Sequence, residues 1–266
     1  MAIYHLNAKT FSRKKGQSAV AAAAYRSATK LKDQRSGEIF DYRRKKGVIF
    51  NQIIVPSSAP TWALVQEQLW NEVESAEKRK NSTVLREVEV SLPHELPDNI
   101  QQKVAIKLAN EICTSHKVAA QLSIHKPHEH NNEKNIHAHI IFSTRRIDNS
   151  GLTKKTREWD DRTNGKNVVK YWRKKWEIIA NEEIEKLKNV ALIDCRSYKE
   201  RGLNIEPTQH RGPFATRLER AGKRSRIEKK NKAIKARNNI VIEREKVSIQ
   251  RNLEKKRYFP SVGLSR

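Results

Sequence analysis

The run Ile136-His137-Ala138-His139-Ile140-Ile141-Phe142 restricts the fold more than any other stretch of the chain. In an extended strand residues two apart share a face, so His137 and His139 point one way while Ala138 and Ile140 enter the opposite layer. Val118 to His125 reads as the preceding strand. Pairing the two as a hairpin brings its last residue, His125, beside the other imidazoles. The polar connection Lys126 to Lys134 carries His128 and His130, which read as surface residues. Three neutral imidazoles leave open positions on a divalent ion, as catalysis requires. The competing reading sets His137 and His139 on the solvated face of an edge strand, but the triplet with apolar residues interleaved favours metal.

The remaining segments mix helix and strand. Ala2 to Lys9 alternates as a strand, and a basic turn follows at Ser12-Arg13-Lys14-Lys15-Gly16. Ser18 is placed to cap an alanine-rich helix through Tyr25 that fades near Lys30 to Asp33. Glu38 to Tyr42 and Val48 to Val55 read as strands, Trp62 to Lys78 as an amphipathic helix, and Arg86 to Leu92 as a half-buried strand ended by Pro93. Asn99 to Ser115 has helical periodicity, and Val168 to Asn189 is a long charged helix with Tyr171, Trp172, Trp176 and Ile179 as a core stripe. There is no regular βαβ rhythm and no glycine-rich dinucleotide turn. The fold class is therefore α+β, with a central antiparallel sheet flanked by helices.

Charge narrows the partners. Lys and Arg number 55 against 30 Asp and Glu, a net charge of +25, and a polyanion is the natural counterpart. No apolar run is long enough to span a bilayer, and the N-terminus lacks the apolar region of a secretory signal. Two widely separated cysteines, Cys113 and Cys195, suggest a reduced cytoplasm. Nucleic acid thus leads membrane as the partner. Residues 211–258 hold seventeen Lys or Arg against five Asp or Glu, which reads as a basic helical or partly disordered tail. The expected division is a main domain at 1–220 and a tail at 221–266.

Two further features bear on chemistry. Tyr25 stands on a short helix directly after the first strand and a basic turn, and Glu87 and Glu89 lie two apart on one strand face. Taken singly, a helical tyrosine is commonly a packing residue and strand carboxylates are commonly solvated. Together with the histidines, the pattern resembles the MobA/MobL family of mobilisation relaxases, within the His-hydrophobe-His endonucleases. The matching blocks are Ala2 to Lys9, Gly16-Gln17-Ser18-Ala19 with Tyr25, Arg86-Glu87-Val88-Glu89 through Leu96, His125 with Asn135, His137, Ala138 and His139, and Asp194-Cys195-Arg196-Ser197-Tyr198 through Gly212-Pro213. One departure is Cys195, where the family commonly has histidine.

The resemblance implies a relaxase or rolling-circle-initiator-like palm. Tyr25 would attack a scissile phosphate at an origin of transfer, leaving a 5′-phosphotyrosyl link and a free 3′-OH. His125, His137 and His139 would hold Mg²⁺ or Mn²⁺. A phenol of ordinary pKa, about 10, needs a base or a nearby cation; Glu89 is the first choice of base and Glu87 the alternative. Arg13, Lys14, Lys15, Arg26, Arg145 and Arg146 are candidate DNA contacts on single-stranded or hairpin DNA. Accessory DNA-binding proteins and a coupling protein would be further partners of a monomer. A rolling-circle initiator would place its tyrosine after the metal motif, whereas Tyr25 precedes it. A zinc hydrolase would not need so large a basic surplus, and a non-catalytic DNA-binding protein would not need every reactive residue.

Overall fold

The computed structural model describes residues 4–127, 135–161 and 163–258; His128 and His130 lie outside these. Two compact units form, Met1–Cys195 and Arg196–Arg266. In the first, β1 (Leu6–Ser12), β4 (Val48–Ile54), β5 (Thr83–Ser91), β6 (Val118–His125), β7 (His137–Asp148) and β8 (Gly151–Lys155) make one sheet. Its order is β1-β5-β7-β6-β4, with β8 pairing β7, and every pairing is antiparallel. The α+β class expected from the sequence is the one observed.

Helices cover both faces. On one side α3 (Asp98–His116) and α4 (Asn164–Ile184) pack Leu108, Ile112, Trp172 and Trp176 against Val88, Leu122, Ile140 and Phe142. On the other, α1 (Ala19–Ser27) and α2 (Gln66–Ser75) pack Val20, Ala23, Leu69 and Trp70 against Leu85, Ala119 and Ile141. The alternation of Ile140 and Ile141 between these clusters is the period-two pattern of a strand buried on both sides. β7 therefore lies between β5 and β6 in the interior of the sheet, and the edge-strand reading of His137 and His139 falls away.

Alanine sets the position of α1. With Ala19, Ala23 and Ala24 fully buried, the helix backbone lies close on the sheet. Ser18 caps it by accepting from the Ala21 N–H, and Ala28 ends it in the left-handed region at φ 56°. The helix stops sooner than expected, because Lys30–Lys32 (β2) turns back to pair with Ile39–Asp41 (β3). β1 begins later than its alternation suggested and runs on to Ser12. β5 is not half-buried: Arg86 and Glu87 are both inside. Trp62 to Lys78 divides into a 3-10 turn, Thr61–Leu64, and α2.

The second unit holds α5 (Gly212–Arg220) and α6 (Arg226–Tyr258). Its preceding segment is tied to α6 by polar clasps, Glu206 to Arg237 at 2.7 and 2.9 Å and Gln209 to Asn231 at 2.8 Å. The expected boundary at 220/221 falls inside this unit, between its two helices. Among the described residues no helix is long and apolar enough to cross a membrane.

Candidate active site

Register brings the three histidines together. His125 lies opposite His137 across the β6–β7 ladder, and His139 lies opposite Ser123. The ring centroids are 4.5 to 5.5 Å apart, and one ligand atom from each residue lies within 4.8 Å of the others. Each ring is oriented by an acceptor. His125 Nε2–H donates to the Arg26 carbonyl at 2.6 Å, His137 Nδ1–H to the Asn135 carbonyl at 3.0 Å, and His139 Nδ1–H to Glu87 Oε1 at 2.6 Å. One N–H is thereby fixed on each ring, and the other nitrogen is left as a lone pair. Metal-binding histidines are held in this way, so the donor set fits a divalent cation. Burial pushes the His125 imidazole down to about 3 and lowers that of His137, which keeps both neutral near pH 7.

Arg26 joins this cluster to the tyrosine helix. Its guanidinium grips Glu87 with two bonds, 2.6 and 2.8 Å, and Nη1 donates to the Ala22 carbonyl at 3.0 Å. Arg26 and Glu87 are both buried, and Glu87 in turn holds His139. The residue after Tyr25 thus contacts His125 through its carbonyl and His139 through Glu87. Arg26, expected from sequence as a phosphate contact, thus has a structural task within the fold. Burial would raise the Glu87 carboxyl, but the bonds from His139 and Arg26 outweigh it and hold the group well below the usual carboxylate range. Glu89 is also lowered against its burial, chiefly by its ion pair with Lys9.

Tyr25 is 47 % exposed at the last turn of α1. Tyr42 meets its ring edge-on at 5.2 Å, and the Lys45 ammonium stands 3.8 Å from the ring centroid while donating to the Tyr25 carbonyl at 2.8 Å. Burial, and then the charge of Arg26, bring Lys45 down to about 8. Nothing local marks Lys45 within the run Arg43 to Lys46; the chain folding back into β4 delivers it.

The other expected DNA contacts divide. Lys14 and Lys15 are exposed on a 3-10 turn. Arg13 is held by Glu74 at 2.7 and 3.0 Å and by main-chain carbonyls. Arg145 binds Glu77 and the Thr153 carbonyl, both at 2.9 Å, and Arg146 binds Glu158 at 3.2 Å. Arg145 also lies six residues beyond His139, about 20 Å along an extended strand. Cys195 donates its N–H to Glu177 on α4, and burial beside that carboxylate pushes its thiol up to about 11.

The MobA/MobL family model matches residues 17–221, which include α1, β5, the β6–β7 hairpin and α5. The chain belongs to the MobA/MobL family. Mobilization protein MobL of Acidithiobacillus ferridurans is 35 % identical over 95 % of this chain and 75 % of its own length. Conjugal transfer protein TraA of Rhizobium radiobacter is 31 % identical over 83 % of this chain, but only 22 % of TraA is spanned. Among solved structures, one described as "Molecular Basis of Vancomycin Resistance Transfer in Staphylococcus aureus" is 31 % identical with a TM-score of 0.65. It aligns over 74 % of this chain and all of that one. In this MobA/MobL chain, the histidine triplet and Tyr25 are therefore set on a fold shared with mobilisation proteins.

Proposed function

We propose that the chain is a metal-dependent, tyrosine-using DNA relaxase that nicks one strand at an origin of transfer. The observation that carries this reading is Arg26, which ties the nucleophile helix to His125 and, through Glu87, to His139. Tyr25 and the imidazole cluster are thereby one rigid assembly rather than two neighbouring features. The Tyr25 oxygen attacks phosphorus, a Tyr–O–P bond forms, the P–O3′ bond breaks and the 3′ oxygen leaves to take up a proton. The phosphotyrosyl ester keeps the energy of the phosphodiester, so the 3′-OH can reverse the step and rejoin the strand. His125, His137 and His139 would hold Mg²⁺ or Mn²⁺, which supplies charge stabilisation at the phosphate oxygens.

The Lys45 ammonium over the Tyr25 ring, bonded to the Tyr25 carbonyl, places a cation beside the nucleophile. Glu89 is our assignment for proton acceptor ahead of Glu87, because both oxygens of Glu87 are engaged by Arg26 and His139. Lys14 and Lys15 and the basic second unit would meet DNA phosphates, on single-stranded or hairpin DNA. A monomer acting in the cytoplasm with accessory proteins and a coupling protein fits this chemistry.

The test is Tyr25→Phe, which deletes one oxygen from an exposed ring and should leave folding unchanged. Wild type incubated with a single-stranded origin and Mn²⁺ should form a covalent adduct on Tyr25, located by mass spectrometry, and the variant none. An adduct on another residue would overturn the assignment.

A further inference from the structure

The turn between β3 and β4 is pinned at both ends, with Lys45 at its middle. The Tyr42 carbonyl accepts the Lys45 N–H at 2.8 Å, and the Tyr42 N–H reaches the Thr29 carbonyl at 3.1 Å. Past the turn, the Gly47 carbonyl accepts the N–H of Lys126, the residue after His125, at 2.8 Å. Gly47 is at φ 90°, and a Cβ there would stand 2.8 Å from the Lys126 carbonyl oxygen, so glycine lets the turn lie this close to β6. Arg43, in the same basic run, is spent on Asp41 at 2.6 Å. Lys45 is half-buried, and among the described residues no carboxylate pairs with it. Arg13 and Arg26, by contrast, are already held by Glu74 and Glu87.

We propose that Lys45 is a catalytic residue that donates to a non-bridging oxygen of the phosphate attacked by Tyr25. An ammonium carries three donors. One goes to the Tyr25 carbonyl at 2.8 Å and the ring lies beside the head at 3.8 Å, which leaves at least one donor for a ligand. Its charge is also felt at His125 and His137, so it lies within electrostatic reach of both the nucleophile and the imidazole cluster. A half-buried cation without a counter-ion, crowded further by the charge of Arg26, is a site short of one anion. The attacked phosphate supplies that anion, and it gains negative charge in the transition state. A fixed ammonium meets this charge without reorganising. Because Lys45 also holds the Tyr25 carbonyl and ring, one side chain orients both reacting partners.

The assignment rests on the relaxase reading, and the experiment separates the two. In single-turnover cleavage of a single-stranded origin with Mn²⁺, Lys45→Met should be slower than wild type by about 100- to 1,000-fold, the usual loss for one transition-state donor. Its Mn²⁺ affinity should be no weaker, since a positive charge near the histidines has gone. A weaker affinity would make Lys45 a support of the metal seat and overturn the contact. The contact itself is read in metal-free buffer, with the natural strand and one carrying a neutral methylphosphonate at the scissile position. Wild type should prefer the natural strand about 10- to 100-fold, what a hydrogen bond to a charged group contributes, and Lys45→Met should lose that preference. An undiminished preference, or cleavage at the wild-type rate, in the folded variant overturns the proposal and leaves the relaxase reading standing. If wild type forms no covalent adduct, the relaxase reading fails and the contact with it. Should Lys45→Met not fold, Lys45→Gln, still able to donate to the Tyr25 carbonyl, is read the same way.

Discussion

Strand β7 carries polar residues at both ends, and the two ends behave in opposite ways. At the far end each cation is answered by a carboxylate: Arg145 by Glu77, Arg146 by Glu158, and neighbouring Arg86 by Asp160 at 2.7 Å. Glu77 is nearly fully buried and also receives Lys155 at 2.6 Å, so these pairs fasten β8 and the chain after it to the sheet. At the near end each imidazole spends one nitrogen on a protein acceptor and keeps the other. Basic residues are the obvious nucleic-acid signal in a chain with a charge of +25, yet here they are the saturated group. What separates a working site from a structural one is the donor or lone pair left over once the fold has taken its share.

The largest expected effect tests the near end. His137→Ala or His139→Ala should abolish Mn²⁺-dependent cleavage and the tight Mn²⁺ binding seen by calorimetric titration. DNA affinity should persist, since phosphate contacts are spread over many cations. Full cleavage by either variant would remove the metal assignment, and with it the contrast between the ends. Next in size is Glu87→Gln, which keeps the shape but loosens the acceptor behind His139. Loss of such a partner costs about 10- to 100-fold in metal affinity. An unchanged Mn²⁺ affinity in folded protein would mean that His139 is oriented by something other than Glu87.

The near end was also the more legible in the sequence. Alternation around His137 and His139 fixed a shared face, and the hairpin that places His125 opposite His137 followed from two adjacent strands. The structural task of Arg26 was not read from the sequence, although helical phase held it: the alanines of α1 form its buried face, and Ala22 and Arg26, four apart, lie on it. Lys45 could not be read, since it reaches Tyr25 only through the tertiary path into β4. β2 and β8, three and five residues long, are too short for periodicity to show. The saturation of Arg145 and Arg146 was equally hidden, because Glu77 and Glu158 come from distant segments.

Arg145→Ala probes the far end, with a smaller effect of a different kind. Its charged hydrogen bonds, largely out of solvent, should cost about 1–3 kcal/mol of unfolding free energy when removed, with Lys155 still neutralising Glu77. Cleavage of a short strand at low salt should continue at the wild-type rate. Impaired cleavage at full stability would instead make Arg145 a DNA contact and put function at both ends of β7.

The smallest expected effect is an acid dependence that sharpens the role of Glu87. Burial raises this carboxyl, the bonds from His139 and Arg26 lower it more, and its net position lies well below the ordinary value of 4.5. A carboxylate depressed on folding contributes stability that is fully present above its unfolded value and is lost as pH falls below that value. Wild type should therefore be more stable than Glu87→Gln at pH 6, and the gap between their urea midpoints should close as pH drops from about 4.5. His125, lowered to about 3, charges unfavourably over an overlapping acid range, but it does so in both proteins and cancels in the difference. A gap that stays constant from pH 6 to about 3 would show that Arg26 and His139 do not hold Glu87 ionised. The strut between the tyrosine helix and the histidines would then need another origin.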